Sequence, residues 1–168
     1  MNIFALHHDP AKAAGFHADQ HVNKMLLEAV QIASTVAAGV AVPAPYRSTH
    51  ARHPCTLWAA KAAGNMRWLL ALADSLRVER RRRWPLCAPS KTEAALDTLD
   101  RTALLAALPQ ADPTPFAQAM PEEFQGPDPV LAYRAYYRER KAVLCGRPAR
   151  WTNRATPNWF LNPSTPQQ

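Results

Sequence analysis

One stretch near the start of the chain carries side chains that exchange protons or act as nucleophiles. At spacings of three or four residues it presents His17, His21, Lys24, Glu28, Gln31 and Thr35. Histidine exchanges protons near neutral pH, and a glutamate in an apolar cleft can act as a general acid or base. A lysine that loses its proton is an amine nucleophile. We therefore take Glu28, His21, Lys24 and His17 as candidate catalytic residues.

These six residues share one face of a predicted helix. At about 100° per residue they form a stripe roughly 80° wide. The other positions are largely apolar, for example Met25, Leu26 and Val30. A helix that is apolar around most of its circumference is buried, so the stripe should line a cleft. The alternative is an internal network in which these polar groups only satisfy one another.

Histidines also precede the second predicted helix. All six histidines lie within the first 53 residues, and His50 and His53 stand just before Pro54. We expect this segment to fold against the first helix and complete the cleft. Substrate binding is assigned to His50, His53, Gln31 and Asn65. The spacing of His17 and His21 would suit a metal, but Asp19 points away from the stripe, so we expect no metal and no cofactor.

The elements that position these residues are helices. The 168 residues fit a single compact all-α domain, residues 1–168, of about four main helices. The predicted helices run from Pro10 towards Ala38 (with Gly15 as the candidate position for a break), from Pro54 to about Arg83, from Ser90 to before Pro109, and from Pro129 to about Cys145. Asp9-Pro10 and Asp128-Pro129 are typical helix starts, and Ser90 with Glu93 forms a capping box.

The remaining segments are predicted to be irregular. Residues 1–6 form a strand or an extended arm, and residues 109–127 a Pro-rich connection of a length typical of binding or lid segments. The tail from Gly146 is expected to be irregular, with a flexible end at about 161–168.

Positive charge is concentrated towards the end of the chain. The net charge is +7, and residues 134–154 hold seven basic residues and one acid, Glu139. Arginine and lysine neutralise phosphates, and aromatic faces stack on unpaired bases. The predicted DNA-binding residues are Arg134, Arg138, Lys141, Arg150, Arg154, Tyr137 and Trp151. The tyrosine and tryptophan could equally be core residues, and the basic face could serve only solubility.

Cysteine usage and hydropathy predict the compartment. The three cysteines are widely spaced, which is a poor disulfide framework and fits a reducing compartment. No signal peptide and no membrane-spanning stretch is evident. We expect a cytoplasmic protein, in the host cytoplasm if a phage encodes it.

Two resemblances follow from these residues. The chain resembles a group of small phage-encoded proteins without a secure function that begin Met-Asn-Ile-Phe. The match runs from Met1 to Phe160 and rests on two motifs. The first comprises His17, Asp19, His21, Lys24, Met25 and Glu28, and the second Thr49, His50, His53, Pro54, Cys55 and Trp58.

More remotely, the chain is similar to pyrimidine-dimer DNA glycosylase/AP lyases of the endonuclease V type. About thirty residues carry this resemblance, through Asp19-Gln20-His21 and a glutamate, Glu28, seven residues after the histidine. It implies a metal-free helical enzyme in which Glu28 is the catalytic carboxylate and His21 faces DNA. That family attacks the sugar with the α-amine exposed when the initiator Met is removed. Here the bulky Asn2 should hinder removal, which leaves Lys24 as a substitute amine.

The sequence thus predicts a DNA-acting enzyme, glycosylase/lyase-like on a damaged or modified base. Two alternatives stay open. One is a phage DNA-binding or host-interaction module without chemistry, in which only the basic surface acts. The other is a transferase that installs a group on phage DNA bases and needs a second substrate.

Overall fold

The computed structural model describes residues 1–144 and 146–161, and the architecture is helical, as predicted. Helix accounts for 56% and strand for 2%. The helices are α1 (Pro10–Phe16), α2 (Asp19–Gly39), α3 (Pro54–Lys61), α4 (Ala63–Arg83), α5 (Lys91–Thr98), α6 (Arg101–Ala106), α7 (Pro129–Arg140) and α8 (Asn158–Leu161). A 3-10 turn spans Glu122–Phe124, and β1 (Val143–Leu144) pairs antiparallel with β2 (Arg147–Pro148).

The predicted long helices are interrupted. The first breaks at His17 and Ala18, whose backbones are extended, so His17 lies outside α2. The second breaks at Ala62, where the backbone has φ −154° and ψ 145°. The third breaks at Leu99 (ψ 121°). The fourth ends at Arg140 and gives way to the hairpin, while Cys145, its predicted end, lies outside the described residues.

The break at Ala62 is stabilised by hydrogen bonds from the start of α4 to the connecting segment. The amides of Ala63 and Gly64 donate to the carbonyls of Pro109 and Ala111, at 2.8 and 3.1 Å. The first turn of α4 leaves these amides without helical partners, and the connecting segment supplies them. A Cβ on Gly64 would lie 2.5 Å from the nitrogen of Pro113, so only glycine admits this close approach.

The predicted helix starts are confirmed by their caps. The Asp9 carboxylate accepts from the amides of Ala11 and Lys12. Ser90 and Glu93 form a complete capping box, and Asp128 accepts from the first amides of α7. These caps satisfy amides that the helices cannot, which fixes where each helix begins.

Helix α2 packs inside the fold, as its apolar circumference predicts. Its buried residues include Val22, Met25, Leu26 and Ile32, and it packs chiefly against α4. The first residues of the chain form a buried extended arm rather than a strand. Residues 3–6 of this arm are almost fully buried in the same core.

A buried charge network joins α4 to α2 and to the C-terminal segment. The fully buried Arg83 donates to Glu79 at 2.7 Å, to Asp19 at 2.9 Å and to the Gly15 carbonyl at 3.1 Å. Arg154 donates to both oxygens of the same Glu79 carboxylate. Paired charges of this kind are costly to break, because either partner alone would remain buried and uncompensated.

The Pro-rich connection is irregular but firmly held. The Gln118 side chain bonds to the amide and carbonyl of Gly126, and the Tyr133 hydroxyl bonds to Ala117 and Ala119. The C-terminal region contains the hairpin and α8, and the predicted flexible end beyond Leu161 lies outside the described residues. Within the described part of the chain, every helix is too short or too polar to cross a bilayer.

Candidate functional site

The start of the chain meets the carboxylate of Glu28. The backbone nitrogen of Asn2 donates to Oε2 of Glu28 at 2.6 Å. On the other side, Nζ of Lys24 lies 4.0 Å from Oε1 of the same carboxylate. The Glu28 side chain is 13% exposed and that of Lys24 is 60% exposed, so the carboxylate is largely covered while the lysine reaches solvent.

The side chain of Asn2 fixes this meeting point. Its Oδ1 accepts from the amides of Ile3 and Phe4, and its Nδ2 donates to the Ala119 carbonyl at 2.7 Å. Phe4 adopts φ +34°, which is uncommon for an aromatic residue. Such backbone costs about 1–3 kcal/mol and persists only when its surroundings enforce it. The buried arm thus holds the Asn2 nitrogen beside Glu28.

His21 is held as a neutral ring against Tyr137. The Tyr137 hydroxyl accepts from the Ala18 amide at 2.8 Å and shares a hydrogen bond with Nδ1 of His21 at 2.5 Å. The tautomer of His21 sets which of the two partners donates in that bond. Burial, together with the charges of His17, Lys24 and Lys141, lowers the pKa of His21 to about 3. A ring that is neutral at pH 7 can form hydrogen bonds but carries no positive charge there.

His17 lies in the core rather than on the stripe. It follows the last turn of α1, and its Nδ1 bonds to the Ala13 carbonyl at 2.7 Å. The side chain is fully buried, Nε2 has no partner among the described residues, and burial lowers the pKa to about 4. The break between α1 and α2 removes His17 from the helical register that sequence analysis assumed.

The loop before α3 lies against the polar stripe at Thr35, its last residue. The Thr35 hydroxyl bonds to both the amide and the carbonyl of Thr49, which pins the loop to α2. His53 caps α3 through the Cys55 amide. Burial, and next the charge of the first residue's amino group, lower the pKa of His53, so this ring lies near the chain start. His50 is exposed and bonds to Thr49.

Cys55 lies in the first turn of α3, and its thiol is unreactive. Burial raises its pKa to about 11, and Glu28 adds to the effect. A thiol that stays protonated is a poor nucleophile. The described residues near Glu28 therefore offer amines rather than a thiolate.

Gln31 and Asn65 occupy different surroundings. Gln31 is half-buried on α2, one turn beyond Glu28. Asn65 is fully buried, and its amide bonds to the Trp58 carbonyl and to both the amide and hydroxyl of Thr114. Asn65 therefore ties the Pro-rich connection to α3 and α4, and its hydrogen-bonding atoms are engaged within the fold.

Four of the residues predicted to contact DNA are engaged by other parts of the protein, three of them buried and Arg154 half-buried. Arg134 donates to the Leu6 carbonyl at 2.7 Å and lies over the rings of Phe16 and Trp159. Arg154 pairs with Glu79, as described above. Tyr137 is fully buried, and the buried Trp151 donates to the Phe16 carbonyl. These two aromatic side chains take the core role that sequence analysis left open.

The other predicted DNA-binding residues remain at the surface. Arg150 is exposed, Arg138 and Lys141 are half-buried, and Lys141 lies over the Tyr136 ring. Arg140 and Arg147 are also exposed and add to this basic face. Lys141 is close enough to His21 to lower its pKa, which connects the basic face to the Glu28 site.

Sequence analysis did not assign Asn2 to the site, and it assigned Tyr137 to the DNA-binding surface rather than to the surroundings of His21. Asn2 reaches the site because the buried arm packs against α2. Tyr137 reaches it because α7 packs against His21, which joins residues more than 100 positions apart. Helical periodicity reports on one helix face and carries no information on such distant pairs.

The described residues contain no group of three or more metal-ligating side chains positioned to hold an ion. Comparisons with family models, curated proteins and solved structures found no match to this chain.

Proposed function

We propose that the protein is a DNA-acting enzyme that works at a base or its glycosidic bond, with Glu28 as the catalytic carboxylate. The observation that carries the proposal is the hydrogen bond between the Asn2 nitrogen and Glu28. It supports a site in which Glu28 assists the attack of an amine on a sugar carbon, because it places the carboxylate beside the start of the chain. Two amines are candidates: the side chain of Lys24 and the amino group at the start of the chain.

The chemistry assigns one step to each group. The amine nitrogen forms a bond to C1′ of the deoxyribose as the glycosidic bond breaks, and the base leaves with the bonding electrons and takes up a proton. Glu28 accepts a proton from the bound nitrogen and delivers it to O4′. Opening of the C1′–O4′ bond then gives an imine and a free 4′-hydroxyl. A carboxylate in this position acts as a general base and then as a general acid.

Binding is assigned to the groups around the carboxylate. Lys24 and Lys141 supply cations for a DNA phosphate, while His21, which is only 3% exposed, shapes the site behind them. The half-buried Arg138 and the exposed Arg140 and Arg150 extend this surface along the duplex. Access to C1′ requires the target nucleotide to leave the base stack.

Borohydride trapping tests the proposal and locates the amine. The protein is incubated with labelled duplexes that contain an abasic site, a pyrimidine dimer or a phage-type modified base. Reduction should convert the imine into a stable adduct. Peptide mapping by mass spectrometry then identifies the linked residue. An adduct that Lys24→Ala abolishes assigns the lysine, and one that the variant retains on the first peptide assigns the chain start.

Absence of an adduct on all three substrates would remove the imine mechanism. Salt-dependent DNA affinity without an adduct would favour a binding module or a transferase. The exposed basic face is the observation that supports DNA binding independently of any chemistry.

A further inference from the structure

An open aromatic groove lies on another part of the surface, where the Pro-rich connection passes α4 and the start of α7. Its volume is about 600 Å³, within the range of about 300–1,000 Å³ typical of ligand pockets. The rings of Trp68, Phe116 and His8 form part of the wall. Four prolines complete it: Pro113, Pro115, Pro127 and Pro129.

The aromatic rings are packed against one another and form a continuous wall. The ring centres of Trp68 and Phe116 are 4.6 Å apart, and His8 stacks on Phe116 at 5.8 Å. Trp58 supports both larger rings from within the core. Aromatic faces of this kind attract planar groups and cations.

The groove offers few free hydrogen-bond donors. Proline has no N–H. The indole nitrogen of Trp68 donates to the His8 carbonyl at 2.6 Å, and that of Trp58 donates to the Thr114 carbonyl at 3.3 Å. The Thr114 amide donates to Asn65. The His8 ring and the Thr114 hydroxyl are the groove-lining side chains that donate to none of the described residues, so a ligand that binds here must bring most of its own donors.

The groove also carries a negative charge. Oδ1 of Asp128 accepts from Val130 and Leu131, while Oδ2 of Asp128 bonds to none of the described residues. No lysine or arginine among the described residues lines this groove. Residues 109–128 contain four acids and no base in a chain whose net charge is +7. This surface thus repels phosphate and favours a cation.

We propose that this groove binds an extended, arginine-bearing segment of a partner protein, separately from the Glu28 site. The guanidinium is planar, stacks on aromatic rings and brings five N–H donors, which matches a wall of rings, carbonyls and one carboxylate. Aromatic grooves bind extended Pro-rich segments at little entropic cost. The proposed contact places the guanidinium between Phe116 and the free oxygen of Asp128.

Calorimetric titration tests this contact with two blocked pentapeptides, one with arginine flanked by two prolines on each side and one with citrulline in its place. Citrulline keeps the shape and removes the charge. We expect the arginine peptide to bind about tenfold more tightly. Asp128→Asn should remove that preference, because asparagine still caps α7 but carries no charge. Glu122→Gln, an acid of the same segment that does not line the groove, should retain it.

Phe116→Ala should weaken both peptides in a variant whose circular dichroism matches the parent chain. Equal affinity for the two peptides, or no binding of either at millimolar concentration, would overturn the proposal. Tighter binding of a thymidine oligonucleotide at the groove, detected as competition with the arginine peptide, would overturn it in favour of nucleic acid. Self-association that Phe116→Ala abolishes would overturn it in favour of a second copy of the chain.

Discussion

Lowering the pH from 7 to 5 should strongly destabilise the fold, because two buried histidines are neutral in it. Burial lowers the pKa of His17 to about 4 and that of His21 to about 3, against an ordinary value of 6.5. The unfolded chain therefore binds protons in this range that the folded chain does not. The stabilisation that comes from the two neutral rings is fully present above pH 6.5. It is lost as the pH falls towards about 4 for His17 and about 3 for His21.

The expected size follows from the linkage. Each pH unit between the unfolded and folded pKa values is worth about 1.4 kcal/mol per histidine. Between pH 7 and pH 5 each ring should thus lose about 2 kcal/mol, and the two together about 4 kcal/mol. This is a large fraction of the roughly 5–15 kcal/mol that stabilises a typical domain. The lowered pKa values of the less buried His7 and His53 act in the same direction.

Urea unfolding followed by tryptophan fluorescence measures this effect at half-unit steps of pH. His17→Gln removes one titrating ring, so its free energy of unfolding should lose only about half as much between pH 7 and pH 5. A free energy of unfolding that stays constant over this range in the parent chain would refute the assignment of both histidines as buried neutral groups.

Three substitutions test the positioning elements. Arg83→Met should destabilise by about 3–5 kcal/mol in urea unfolding, because it leaves Glu79 and Asp19 short of a buried partner, whereas the exposed Arg82→Met should change little. A loss below 1 kcal/mol would contradict the network. Gly64→Ala should lower the melting temperature, because the added Cβ would meet the backbone of Pro113 and Asp112. Gly39→Ala is the control, since its added Cβ meets nothing and should leave the melting temperature unchanged. Equal melting temperatures of the two variants would argue against the close approach at Gly64. Ser90→Ala should destabilise by about 1 kcal/mol while Ser90→Asp keeps the cap, and equal unfolding midpoints would contradict the capping box.

Sequence patterns predicted the features that depend on local chemistry. The caps at Asp9, Ser90 and Asp128 were confirmed because one side chain and its nearest amides determine a helix start. The buried position of α2 followed from its apolar circumference. A break of the first helix was expected near Gly15 and lies two residues later, at His17 and Ala18, whereas the break at Ala62 was missed because distant partners determine it. Ala63 and Gly64 bond to carbonyls more than forty residues away.

The candidate site was predictable only where it depends on local helical geometry. Lys24, Glu28, Gln31 and Thr35 share a face of α2, so their register could be derived from helical geometry. His17 lost that register at the helix break. The meeting of Asn2 with Glu28, and of His21 with Tyr137, depends on how the arm and α7 pack. Positive charge predicted a basic surface, but composition does not distinguish a free arginine from one paired with a buried carboxylate, such as Arg154.

Comparison of the parent chain with Glu28→Gln in borohydride trapping tests the central claim most directly. Glutamine keeps the size of the side chain and its hydrogen bond to the Asn2 nitrogen, but it cannot accept the proton. DNA affinity at fixed salt is measured beside it. We expect the adduct yield to fall about a hundredfold or more while DNA affinity stays within about twofold. An adduct that forms equally well with Glu28→Gln would contradict the catalytic role of Glu28.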